Sequence, residues 1–209
     1  SAASDVYKRQ LISILLGLSM GSGTVFSLQY GAGRMKALRR SIYVSAVLIG
    51  TVTIVLNIAA LSFIHPILKL LQIPDDIYQM MYDYLWIIFW GIGFTFIYNF
   101  YAALLRAIGN AVTPLYFLAI SVVLNIGLDL FFILLLDWGI KGAAIATIIA
   151  QGVSALGIMG YTYAKCPELR LHRNDLHFDR HCLKEITSFS TLTCIQQSVM
   201  NLGILMVQG

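Results

Sequence analysis

Charge is what this sequence has least of. Asp, Glu, Lys and Arg make up 11% of its 209 residues, whereas soluble domains carry about 25%. That is too little charge to solvate the surface of a folded globule. Cysteine is scarce as well. Cys166, Cys182 and Cys194 form an odd, scattered set, which argues against a disulfide framework and suits free thiols on a cytoplasmic face. No GxxxxGK[ST] phosphate loop occurs, so no ATP-driven motor is encoded in this chain. No HExxH or Ser-His-Asp arrangement is found. Cys166, His172, His177, His181 and Cys182 fit no familiar zinc-ligand spacing. No enzymatic activity and no cofactor are expected. The net charge of +4 is small and its cations are dispersed, so no nucleic-acid partner is expected either.

What the sequence has in abundance is apolar length. Hydrophobic residues reach 58% and the mean hydropathy is +0.79. A membrane-spanning helix needs about 20 predominantly apolar residues. Such windows recur at 11–33, 41–68, 84–105, 115–136, 142–164 and 186–209, here called segments A to F. Short connections with breakers separate them, including RAIGNAVTP with Pro114 at a helix start and the tight turn DWGIK. The expected fold class is all-α, a polytopic membrane bundle of about six transmembrane helices with the lipid bilayer as its solvent. Residues 1–10 are polar, match nothing that follows, and are read as foreign to the fold. The chain starts without Met and stops inside an apolar run, so a larger functional unit is expected.

The cations give an orientation. Arg34, Lys36, Arg39, Arg40, Arg106, Lys165, Arg170, Arg173, Arg180 and Lys184 lie in the A–B, C–D and E–F connections, against only Lys69 and Lys141 in the other two. The positive-inside rule puts the first set, loops 29–40, 106–114 and 165–185, in the cytoplasm.

One ionisable residue stands inside a segment. Asp129 lies eight positions before Asp137, roughly 12 Å from the outer end of segment D at about 1.5 Å per residue. A carboxylate at that depth costs several kcal/mol unless something compensates. Ser121, Asn125 and Asp129 are spaced i, i+4, i+8 and form one stripe. Across the DWGIK turn, counting inward sets Thr147 level with Asp129, and Gln151 level with Asn125 one turn deeper. Converging carboxylate, amide and hydroxyl oxygens suit a hard cation such as Na⁺, and no other metal is expected. Plain interhelical hydrogen bonding, worth about 1 kcal/mol per bond, would account for the neutral members. It does not account for the charge, because Asn or Ser could do that job more cheaply. Ser121, Gln151, Gln197 and Asn201 are candidates to line a cavity, and for the last two hydrogen bonding to neighbouring helices is an equal alternative. Ser13, Gly17 and Gly21 are read as close helix packing. Trp86, Trp90, Tyr98, Tyr101 and Trp138 are read chiefly as interfacial belt and core, with a substrate-facing wall as the alternative.

Several stretches together resemble the multidrug and toxic compound extrusion (MATE) family, in its DinF-like branch. They are QYGAGRMKALRRSI, LRAIGNAVTPLYFLAISVVLNIGLDLFFI, GIKGAAIATIIAQ and IQQSVMNLGILMVQG. The resemblance implies a transporter of twelve helices in two lobes. Segments A to E (11–164) then correspond to helices two to six of the first lobe, 165–185 to the cytoplasmic link, and 186–209 to the start of helix seven. It further implies cation-coupled (Na⁺ or H⁺) antiport that exports small organic, often cationic, compounds across a bacterial plasma membrane. In that branch an Asn and an Asp four apart on helix five and a Thr on helix six hold the cation or proton, and Asn125, Asp129 and Thr147 match them. The partner Asp of helix one has no counterpart here, and helix one and the second lobe are expected elsewhere in the same protein. Where many members have Pro early in helix seven, this chain has Leu192. A lipid-linked oligosaccharide flippase of the same superfamily is one alternative, but no Lys or Arg lies inside a segment to hold pyrophosphate. A non-transporting scaffold is the other, and it needs no buried carboxylate.

Overall fold

The computed structural model describes residues 2–70, 75–171 and 178–208. Among these residues the secondary structure is helical throughout: α1 (Ala2–Gly31), α2 (Met35–Ser62), α3 (Ile64–Leu70), α4 (Asp75–Trp90), α5 (Ile92–Ala107), α6 (Val112–Leu130), α7 (Gly139–Lys165) and α8 (Arg180–Gln208). Four stretches are long and apolar enough to cross a membrane: Met35–Ser62, Ile77–Ala107, Val112–Leu135 and Gly139–Lys165. Helices α1 and α8, of 30 and 29 residues, also exceed the length a bilayer requires. The all-helical membrane bundle read from hydropathy is therefore the fold.

Residues 2–10 are helical and continuous with α1. Three boundaries differ from expectation. Segment B, read as 41–68, is divided between α2, which ends at Ser62, and α3. The link before segment F is shorter than 165–185, because α8 begins at Arg180. There the Asp179 carboxylate caps the helix by accepting the His181 backbone N–H at 2.9 Å, which satisfies a donor that a helix start leaves open. Segment C is broken at Gly91 into α4 and α5.

The chain divides into two compact units, one of residues 1–51, 99–111 and 161–209, the other of residues 52–98 and 112–160. In the first, α1 lies along α8. Gly17 and Gly21 make this possible: a Cβ on Gly17 would stand 2.8 Å from the Cys194 Cα, and one on Gly21 would stand 2.4 Å from the Ser190 Cα. The spacing of small residues therefore serves packing, as read, although the Ser13 side chain lies outside the described residues. Val25, Val44, Cys182 and Ile186 close the core beside this crossing. Lipid tails are as apolar as these side chains, so dispersion and fit hold the contact rather than expulsion of water.

In the second unit, the break at Gly91 frees backbone groups that the unit then satisfies. The Asn57 side-chain N–H donates to the Phe89 carbonyl at 2.7 Å. Near the turn between α6 and α7 Lys141 pairs with Asp83 at 2.6 Å. Helix α6 buries only Pro114, and much of its apolar surface, including Leu115, Val123 and Ile126, is exposed.

Candidate functional site

Helix α6 is exposed on one side and covered on the other. Phe117, Ser121, Leu124, Asn125, Leu128, Asp129 and Phe132 are half-buried, while Val122, Val123, Ile126 and Leu130 between them are exposed. The i, i+4, i+8 polar stripe therefore lies on the covered face. That face meets α7 in a single antiparallel register. The Ser154 hydroxyl donates to the Phe117 carbonyl at 2.9 Å. The Asn125 Nδ2 donates to the Thr147 Oγ1 at 3.3 Å. Phe132 packs so close to Gly142 that a Cβ there would come within 2.9 Å of its own.

This register corrects the expected depths by one turn. Asn125, not Asp129, is level with Thr147. The same register sets Ser121 level with Gln151, and Asp129 level with Ala143. The cause lies at the turn. Phe131–Leu135 is π-helical, the Trp138 N–H reaches back to the Phe132 carbonyl at 3.0 Å, and the Trp138 ring stacks on Phe132 at 5.2 Å. Asp137 and Gly139 take positive φ of 53° and 54°, a conformation that Asp and Gly tolerate. The residues after Phe132 thus belong to the cap of the hairpin, and counting them as rungs of segment D misplaces the rest.

The hydrogen bonds orient the polar groups. The Thr147 hydroxyl gives its proton to the Ala143 carbonyl at 2.9 Å, so toward Asn125 it can only accept. That turns the Asn125 N–H toward Thr147 and its carbonyl oxygen away. Asp129 lies one turn along the same face, about 6 Å by helix rise. Its Oδ1 is buried and has no hydrogen-bond partner among the described residues. A buried carboxylate oxygen without a partner carries a desolvation cost of several kcal/mol. No Lys or Arg occurs in α6, and Lys141 of α7 is taken by Asp83.

Gln151 belongs to a different cluster from the one expected. Its Oε1, 3.4 Å from the Thr95 Oγ1, shares that hydroxyl's proton with the Gly91 carbonyl at 3.2 Å, and it lies against the break: a Cβ on Gly91 would come within 3.1 Å of that oxygen. Thr95 and Asn57 were not singled out from sequence. Their signal was a polar residue opposite a glycine within an apolar run, which is common in membrane helices. Gln197 is half-buried and its Nε2 donates a weak hydrogen bond to the Met20 sulfur of α1 at 3.5 Å, the hydrogen-bonding alternative for this residue. The Asn201 side chain lies outside the described residues. Of the aromatic set, Trp86 and Trp90 are exposed, the Tyr98 hydroxyl donates to the Pro114 carbonyl at 2.8 Å, and Trp138 caps the hairpin.

The chain is similar to known proteins in sequence and in fold. The model of a family described as MatE matches residues 9–131, a range that includes Asn125 and Asp129 and stops before Thr147. Probable multidrug resistance protein YpnP of Bacillus subtilis (strain 168) is 36% identical over 156 residues, covering 75% of this chain and 35% of that protein. Probable multidrug resistance protein NorM of Thermotoga maritima is 30% identical over 199 residues, covering 92% of this chain and 42% of that protein. A solved inward-facing conformation of a multidrug resistance MATE family transporter of the MOP superfamily shares the fold at a TM-score of 0.85. It is 22% identical, with 91% of this chain and 44% of that one covered. The chain thus spans less than half the length of these relatives.

Proposed function

The chain belongs to the MatE family, and on that premise we propose that it supplies the ion-binding lobe of a secondary active transporter that exports small organic, often cationic, compounds. The coupling ion is Na⁺ or H⁺, and it acts as co-substrate rather than as a resident cofactor. The observation that carries this reading is the buried, unpartnered Oδ1 of Asp129 on the face of α6 that meets α7.

The residues fit such an ion. A proton on Asp129 would neutralise a carboxylate set within an apolar membrane helix. A sodium ion does the same from outside the carboxylate, with further oxygens from the Asn125 side-chain carbonyl and the Thr147 hydroxyl. Either ion exchanges a costly buried charge for a neutral or paired one. Binding drives transport only if the two conformations of the lobe differ in affinity for it. In this reading the difference arises at the α6–α7 contact, where the Asn125–Thr147 hydrogen bond and the Asp129 carboxyl both lie. We place loops 29–40 and 106–114 and the link before α8 on the cytoplasmic side of a bacterial cell membrane, from the distribution of Lys and Arg. Nucleic acid has no role in this reading.

The test is ion-driven efflux in inside-out vesicles by a full-length transporter carrying this segment. Asp129→Asn is expected to abolish efflux while insertion remains normal. Wild-type efflux by that variant would refute the assignment.

A further inference from the structure

We propose that the site where α2, α5 and the end of α7 meet residues 166–171 binds the phosphate headgroup of an anionic membrane lipid, with Arg170 as its anchor. A cavity of about 230 Å³ lies there, within one compact unit. Its polar lining is Tyr101, Thr162, Tyr163, Cys166 and Arg170, and its apolar lining includes Ile42.

The guanidinium is held in place rather than left to roam. Its Nε donates to the Tyr163 carbonyl at 2.9 Å, and its Cζ lies 4.7 Å from the centre of the Tyr163 ring. Cation–π contact and one hydrogen bond fix the plane and leave the terminal nitrogens for an acceptor with two oxygens. Among the described residues no carboxylate forms an ion pair with Arg170. Glu168 is the acidic group nearby, and it acts on Cys166, whose thiol is pushed up by burial first and by that carboxylate second.

Depth decides the class of ligand. Thr162 and Tyr163 are in the last turn of α7, where the apolar span Gly139–Lys165 ends, so the cavity sits at headgroup level. Tyr163 is exposed, as aromatic residues at that level commonly are. The same end of the helices carries the majority of the cations, the side on which anionic lipids gather and basic pockets between helices take phosphate headgroups. An apolar wall beside the arginine suits a glycerol backbone and the start of an acyl chain. A free phosphate would gain nothing from it.

The chain in detergent, stripped of lipid, is titrated with phosphatidylglycerol and with phosphatidylcholine and followed by native mass spectrometry. One phosphatidylglycerol is expected to bind about tenfold more tightly than phosphatidylcholine, and Arg170→Gln is expected to erase that preference. In a Cys182→Ser, Cys194→Ser background, phosphatidylglycerol is also expected to slow alkylation of Cys166, and this readout stands even if Arg170→Gln folds poorly. Equal binding of the two lipids, unchanged preference in a folded Arg170→Gln protein, or unprotected Cys166 overturns the proposal. Displacement of the lipid by an equimolar amount of inorganic phosphate also overturns it, in favour of a site for free anions.

Discussion

The side-chain N–H of Asn125 on α6 donates to the hydroxyl of Thr147 on α7 across 3.3 Å. Because that hydroxyl spends its own proton on the Ala143 carbonyl, the bond has one direction only, and it fixes which way the Asn125 amide faces. The Asn125 carbonyl oxygen then points away from Thr147, and the sodium form of the proposal draws on that oxygen as a ligand.

Thr147→Val keeps the shape of the side chain and removes the acceptor. The Asn125 N–H is then left without its partner, and the helix pair is expected to lose about 1 kcal/mol. Thr147→Ser retains the hydroxyl and is expected to lose less. Unfolding of the purified chain in mixed detergent micelles compares the two. Equal losses would show that the methyl group, not the hydroxyl, matters at this position.

The break at Gly91 is held by side chains from elsewhere in its unit. Asn57→Leu is close in volume but leaves the Phe89 carbonyl without its donor, at an expected cost of about 1–2 kcal/mol. Gly91→Ala brings a Cβ to 3.0 Å from the Ile88 carbonyl and 3.1 Å from the Gln151 oxygen, and is expected to displace Gln151 from Thr95. Backbone amide exchange around residues 88–95 should rise in both variants. An unchanged exchange pattern would mean that the break needs neither contact.

Gly21→Ala would press a methyl group to 2.4 Å from the backbone of Ser190. Backbone cannot yield as a flexible side chain can, so α1 and α8 must separate, at an expected cost of about 1–3 kcal/mol. Gly160→Ala is the contrast. It meets nothing within 4 Å and replaces a poor helix former in the middle of α7, so it should stabilise by about 0.5–1 kcal/mol. Thermal unfolding of the two variants should shift in opposite directions.

The Asp179 carboxyl is held below its ordinary value of 3.8, first by the backbone N–H of His181 and then by Arg40. A carboxyl whose folded pKa is depressed contributes stability that is complete above its unfolded pKa. That stability is lost as the pH falls through the folded pKa. Asp179→Asn should therefore lower the melting temperature at neutral pH, and the gap to wild type should close as the pH drops below 3.8. A gap that stays constant across that range would rule out the carboxylate charge as the cause.

Much of the fold was legible because the membrane imposes a simple rule. Charge-free runs of sufficient length must be helices, since only a helix satisfies its own backbone in lipid. Hence segments D and E match α6 with its π-helical end and α7 closely, whereas segment B, read as 41–68, runs past the end of α2 at Ser62 into α3. The stripe of Ser121, Asn125 and Asp129 was legible for a related reason, because a period of four needs only an intact helix, and α6 is intact as far as Leu130. What counting could not supply was the pairing across the hairpin. That depends on how many residues the turn consumes, and here a π-helical end and the stacking of Trp138 on Phe132 decide it. Gln151 illustrates the consequence. It shares a helix with Thr147, yet its hydrogen bond goes to Thr95, a residue that no local pattern connects to it. The break at Gly91 was hidden likewise, because a lone glycine in an apolar run marks a break only when groups distant in sequence stand ready to cap it.

The most direct test of the central claim is the protonation and ion occupancy of one carboxyl group. Infrared difference spectra of the chain in lipid, recorded on a step in pH or in sodium concentration, report carboxyl bands. The wild type is expected to show a carboxyl band that responds to the ion and is missing in Asp129→Asn. Identical difference spectra from the two proteins would contradict the claim that Asp129 binds the coupling ion.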